Sequence, residues 1–228
     1  MKNRNKPLLK TNLLITDEFY KITKKETNED IVFNIMNDSK IVFNGKYKHI
    51  PQEEQNKGES DFLDITDEKH VRAIDLKLLF DEEICYAINN GCINEFGDKI
   101  IEYINEVYEC VINDTLIEDT VLYKEFINVL SKLKEDEDGI LLFPFPLGLK
   151  LNGSLASNLG CDNFQIVFNA IKNKRYDLIK KKRIYFINLN IENKILVYEL
   201  TNSKNLEFLD KNYIQKYVSV QNTELHFE

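Results

Sequence analysis

The chain has 228 residues, 43% of them hydrophobic, and a formal net charge of −8. That length and apolar content suffice for the core of one elaborated domain spanning 1–228, and they exclude a disordered chain. The charge repels nucleic acid on average, no stretch approaches the roughly 20 apolar residues that cross a bilayer, and the basic start Met1-Lys2-Asn3-Arg4-Asn5-Lys6-Pro7 lacks a following signal-peptide core, so the expected setting is the cytoplasm, without membrane contact.

In chain order, a short helix is expected near 17–25. The β-branched and aromatic runs Ile31–Ile35 and Ile41–Phe43, separated by Asn37-Asp38-Ser39-Lys40, read as a hairpin. Residues 51–59 are polar throughout and form a loop or one helical turn begun by Pro51. A second antiparallel hairpin follows, with strands at 61–65 and 71–80 joined through the turn Thr66-Asp67-Glu68-Lys69. Helices are expected from Asp81 to Asn90, over about 95–112 and over about 119–134, where apolar residues recur at helical spacing, as a helical insertion or layer at about 81–134. Ile140-Leu141-Leu142-Phe143 is a continuous apolar run of the kind buried on both faces of a sheet. A helix near 162–181, a closing hairpin of 183–189 with 194–200, and a short helix at 210–217 complete the chain. The expected class is α/β in the mixed, α+β sense: a central mixed sheet flanked by helices.

The cysteines Cys85, Cys92, Cys110 and Cys161 contain no CxxC pair, and His49, His70 and His226 are scattered far from them. A structural zinc site lacks its ligands, and a Cys/His nucleophile pair has nothing to bring it together. The sequence also lacks GxGxxG, a P-loop and a Gly-x-Ser-x-Gly elbow, so nucleotide-binding and α/β-hydrolase chemistry lack their residues. One basic run stands out in an acidic chain: Lys172, Lys174, Arg175, Lys180, Lys181, Lys182 and Arg183 lie within twelve positions interrupted by a single acid, Asp177. It reads equally as a phosphate-contacting patch and as the solvated end of a helix, where cations suit the dipole.

Carboxylates close enough to share a cation, with a lysine beside them, are the side chains needed to split a phosphodiester. Asp61 opens one strand of the second hairpin and Asp75 lies within the other. Alternation along that strand puts Asp75 and Lys77 on one face while Leu76 points to the core. The acid-x-lysine pattern recurs at Asp38-Ser39-Lys40, Asp67-Glu68-Lys69 and Glu192-Asn193-Lys194, all in expected turns. Only Asp75-Leu76-Lys77 sits inside an apolar strand, where charged residues need a reason. The plain alternative is a half-exposed strand whose wet face shows Arg72, Asp75 and Lys77.

Glu59-Ser60-Asp61-Phe62, followed after twelve residues by Asp75-Leu76-Lys77, resembles the PD-(D/E)XK nuclease superfamily, with serine where proline is usual and aspartate as the second acid. The resemblance implies a restriction-endonuclease-like α-β-β-β-α-β core, Asp61 and Asp75 as metal-binding acids, Lys77 as catalytic lysine, and Glu54 or a neighbour as an added ligand. It further implies an endonuclease dependent on Mg²⁺ or Mn²⁺ acting on DNA or RNA, such as a prokaryotic restriction or anti-phage defence effector. The acidic charge then calls for a protein partner, a homo-oligomer, or a DNA face confined to 172–183. The competing reading is a non-catalytic regulatory or immunity-type subunit that binds a basic partner.

Overall fold

Residues 31–35, expected as a strand, are helical instead. Ile31, Val32, Ile35 and Met36 are all buried, and their spacing of one, three and one residues makes a single stripe on the helix Lys25–Asp38 (α1). Their β-branched letters suggested a strand because strand propensity registers fit to a half-buried surface, and a helix packed on a sheet offers the same burial. Residues 41–43 form no strand either. Val42 and Phe43 are buried, and the Glu207 carboxylate holds this stretch by accepting the backbone N–H groups of Lys40, Ile41 and Val42 and the Ser39 hydroxyl.

The computed structural model describes residues 25–56, 59–79, 117–143, 161–191, 194–202 and 205–210. The helices expected at 17–25, 81–90 and 95–112 lie outside these residues, save Lys25. Seven strands form one mixed sheet whose order follows the sequence: Tyr47–His49 (β1), Phe62–Asp64 (β2), Arg72–Leu78 (β3), Asp138–Phe143 (β4), Ile184–Ile191 (β5), Lys194–Glu199 (β6) and Leu206–Asp210 (β7). β1, β2 and β3 run antiparallel, β3, β4 and β5 parallel, and β5, β6 and β7 antiparallel again. The expected hairpins β2–β3 and β5–β6 are present, and every residue of β4 is buried. β1 and β7 were not expected. The helix proposed for 210–217 lies outside the described residues except for Asp210, which ends β7.

Two more described helices complete an α+β fold. Val121–Ser131 (α2) begins where the Thr120 side chain accepts the Tyr123 N–H, satisfying a donor that the first helical turn leaves open. Cys161–Lys174 (α3) is shorter than the expected 162–181, because the chain tightens into a 3₁₀ turn at Tyr176–Leu178.

Strand alternation divides the core into two layers. Ile74, Leu76, Ile140, Leu142, Tyr185, Ile187, Ile195 and Val197 meet the buried stripe of α1 on one face. On the other, Phe126 of α2 and Phe168 of α3 pack on Phe186 with ring centroids 5.9 and 5.0 Å apart, and Phe168 stacks on Tyr198 at 5.4 Å. No helix among the described residues is long and apolar enough to cross a membrane.

One ionic network ties the start of the parallel strands together. Asp138, fully buried, accepts from Arg72 Nε at 3.0 Å and Nη2 at 2.6 Å, and from Arg183 N at 2.8 Å and Nε at 2.7 Å. Arg183 Nη1 also reaches Asp64 Oδ2 at 2.7 Å, so residues of β2, β3 and β4 and the entry to β5 share the network. Breaking a buried ion pair from one side leaves uncompensated charge. Asp138→Ala should therefore lose about 3–5 kcal/mol in urea denaturation; a loss below about 1 kcal/mol, the scale of an exposed pair, contradicts this role.

Candidate active site

The register of β2 and β3 builds the site. Phe62 pairs with Ile74, so the preceding Asp61 stands opposite Asp75. Phe62 and Ile74 point into the α1 layer, and alternation sends Asp61, Asp75 and Lys77 to the other face. Leu76 between them is buried, as expected.

Asp61 is 1% exposed, and its Oδ2 accepts the Leu76 N–H at 2.7 Å. Lys77 Nζ lies 2.6 Å from Asp75 Oδ2, with 29% and 16% of the two side chains exposed. The Asp75 carboxyl is pushed up to about 6, first by burial and then by its contact with Asp61, while Lys77 pulls the other way. Two carboxylates press against one another on adjacent strands with a lysine beside them, so the structure brings together the three residues singled out as catalytic.

Two neighbours, Glu137 and Lys134, were not foreseen, and Ser60 was noted only as the motif's replacement for proline. Glu137, 6% exposed, accepts from Ser60 Oγ at 2.8 Å and from Lys134 Nζ at 2.6 Å. Burial acts to raise its carboxyl, but the Lys134 ammonium and the Ser60 hydroxyl hold it below the usual range. Ser60 directly precedes Asp61, and Glu137 lies in the acidic stretch immediately before β4. Four consecutive acids, 135–138, gave no sign of which two would be buried.

Glu54 lies exposed on the 3₁₀ turn Gln52–Glu54. Among the described residues no group of three or more His, Cys, Asp or Glu side chains is placed to hold a metal ion. The basic run is largely engaged within the protein. The Lys172 ammonium lies 5.8 Å from the Tyr198 ring centroid, Lys174 pairs with Glu118, and Arg175 Nε is 3.4 Å from Asp177 Oδ1. Lys182 Nζ donates to the Leu133 carbonyl at 3.0 Å, and Arg183 belongs to the Asp138 network. Lys180 is exposed, and Lys181, 3.9 Å from Glu135, has 73% of its side chain exposed. No protein-family model, no curated protein and no solved structure matches the chain.

A carboxyl raised to about 6 from 3.8 holds its proton more tightly folded than unfolded, so its contribution to stability falls as pH rises from about 4 to about 6. At neutral pH the charged Asp75 destabilises the fold. In metal-free buffer Asp75→Asn should therefore be more stable than wild type at pH 7.5, on the order of 1–3 kcal/mol, with the difference shrinking by pH 4.5. Equal urea midpoints at both pH values refute the assignment.

Proposed function

We propose that this chain is a metal-dependent endonuclease that hydrolyses phosphodiester bonds of DNA or RNA, in the manner of the PD-(D/E)XK enzymes its motif resembles. The observation that carries this reading is the contact between the Asp61 and Asp75 carboxylates on adjacent strands, with Lys77 Nζ 2.6 Å from Asp75. The order α1-β1-β2-β3-α2-β4 among the described elements, antiparallel through β3 and then parallel to β4, supports it. It agrees with the α-β-β-β-α-β core that the resemblance implies.

The donor set suits a hard divalent cation. Mg²⁺ commonly takes one or two carboxylates and fills its remaining positions with water and phosphate oxygens, and Asp61 and Asp75 are two such carboxylates forced together. Asp61 and Asp75 would hold Mg²⁺ or Mn²⁺, which would supply Lewis-acid chemistry at the phosphoryl group. The chain's own groups do the rest. The Leu76 N–H fixes the Asp61 carboxylate, and burial limits competing water around the pair. The Lys77 ammonium, carried on a strand inside the sheet, stabilises negative charge developing on the phosphate without having to reorganise.

A non-catalytic partner-binding protein is the second reading. The net charge of −8 and the engagement of most of the basic run within the protein favour it. Incubation with plasmid DNA and with RNA, in Mg²⁺ or Mn²⁺, separates the two. The nuclease reading expects cleavage, and Lys77→Ala or Asp75→Ala should reduce it by at least about 100-fold while the chain stays folded. Wild-type protein no more active than Asp75→Ala, together with a stoichiometric partner recovered from the native host, supports the second reading.

A further inference from the structure

The polar face around Asp75 extends past the three motif residues. In the parallel register, Asp75 stands opposite Gly139 of β4. A Cβ at Gly139 would come within 2.4 Å of Leu133 Cδ1, so the missing side chain lets the end of α2 lie against β4 there. The turn that follows, 134–137, carries Lys134, whose charge interacts with that of Asp75. Glu137 ties the turn to the residue before Asp61 through its bond to Ser60 and holds Lys134 within the turn. Its second oxygen, Oε2, is buried with no hydrogen-bond partner. Lys134 is held at its ammonium yet keeps 59% of its side chain exposed, and the negative charge of Asp75 adds to that of Glu137 in stabilising its protonated form.

The pair compensates the buried Glu137 carboxylate and leaves 59% of the Lys134 side chain exposed to solvent. Lys77 and Lys134 give the surroundings of Asp75 two ammonium groups, and a nucleic-acid backbone presents its phosphates in series.

We propose that Lys134, positioned by the Glu137–Ser60 bridge, is a second phosphate-binding group of the site, taking the nucleic-acid backbone phosphate next to the one that Asp75 and Lys77 address. The inference rests on the nuclease reading and adds a substrate contact to it. Glu137 and Ser60 act through Lys134 and are positioning residues.

The test uses the full chain and two variants. Lys134→Gln keeps a donor for Glu137 and removes the charge; Lys134→Arg keeps both. Binding to a labelled DNA duplex and to an RNA oligonucleotide is followed by fluorescence anisotropy in EDTA across a salt series, and cleavage is followed in Mg²⁺. For Lys134→Gln, KM should rise about 5–10-fold with kcat within about twofold, and the slope of log affinity against log salt should flatten by about one ion, as for the loss of one phosphate contact. Lys134→Arg should restore both. A wild type that cleaves and a Lys134→Gln protein with unchanged KM and salt slope overturn the inference alone, including the case where only its thermal midpoint drops. A wild type that neither binds nor cleaves DNA or RNA overturns the nuclease reading, and the inference with it.

Discussion

Asp138 is the hinge of the architecture. A carboxylate fully out of water is tolerable only when charge and hydrogen bonds surround it, and Arg72 and Arg183 supply both. Because Arg72 belongs to β3 and Arg183 leads into β5, satisfying Asp138 also aligns the three parallel strands at their starts. Arg183 carries the network on to Asp64 of β2. The pairing of Ile74 with Asp138 in the same register sets Gly139 opposite Asp75, so one buried acid governs the surroundings of the partly buried Asp75.

The two faces of the sheet then divide the labour. One is apolar from β2 to β6 beneath α1. The other is apolar under α2 and α3, around Phe186 and Tyr198, and turns polar at β3, where Asp75 and Lys77 stand. Charged groups become plausible chemistry at such a boundary: the sheet holds them rigidly, and partial burial strengthens each interaction among them. The repulsion that raises Asp75 is a cost to the fold, as is common where a site is kept ready for a ligand.

Much of the sheet was legible because its signals are local. The apolar run 140–143 and the alternating segments 62–64, 72–78, 184–191 and 194–199 appear as strands. Residues 31–35 misled because short β-branched runs suit a buried helix as well as a strand, and here the stripe Ile31, Val32, Ile35 and Met36 had to cover the sheet. β1 is only three residues long, and β7 turns Leu206 and Phe208 outward while burying Glu207, the reverse of the apolar-in alternation that marks a strand on a core. The basic run illustrates the opposite limit. Its cations are plain in the sequence, but whether each meets a phosphate or an internal acid depends on partners as distant as Glu118 and Asp64.

For the site, the sequence alone determined that Asp75 and Lys77 share one face of a strand with an apolar residue between them, since side-chain alternation follows from backbone geometry. It also marked Asp61 as the acid nearest the preceding strand. Only the tertiary structure decided that Asp61 stands against Asp75, because that depends on the pairing register of β2 and β3. The tertiary structure also chose Glu137 and Asp138 for burial from a run of four acids, and joined Glu137 to Ser60, the residue before Asp61. The physical reason is common to these cases: a charge is buried only where distant groups compensate it, and those groups are assembled by packing across the chain.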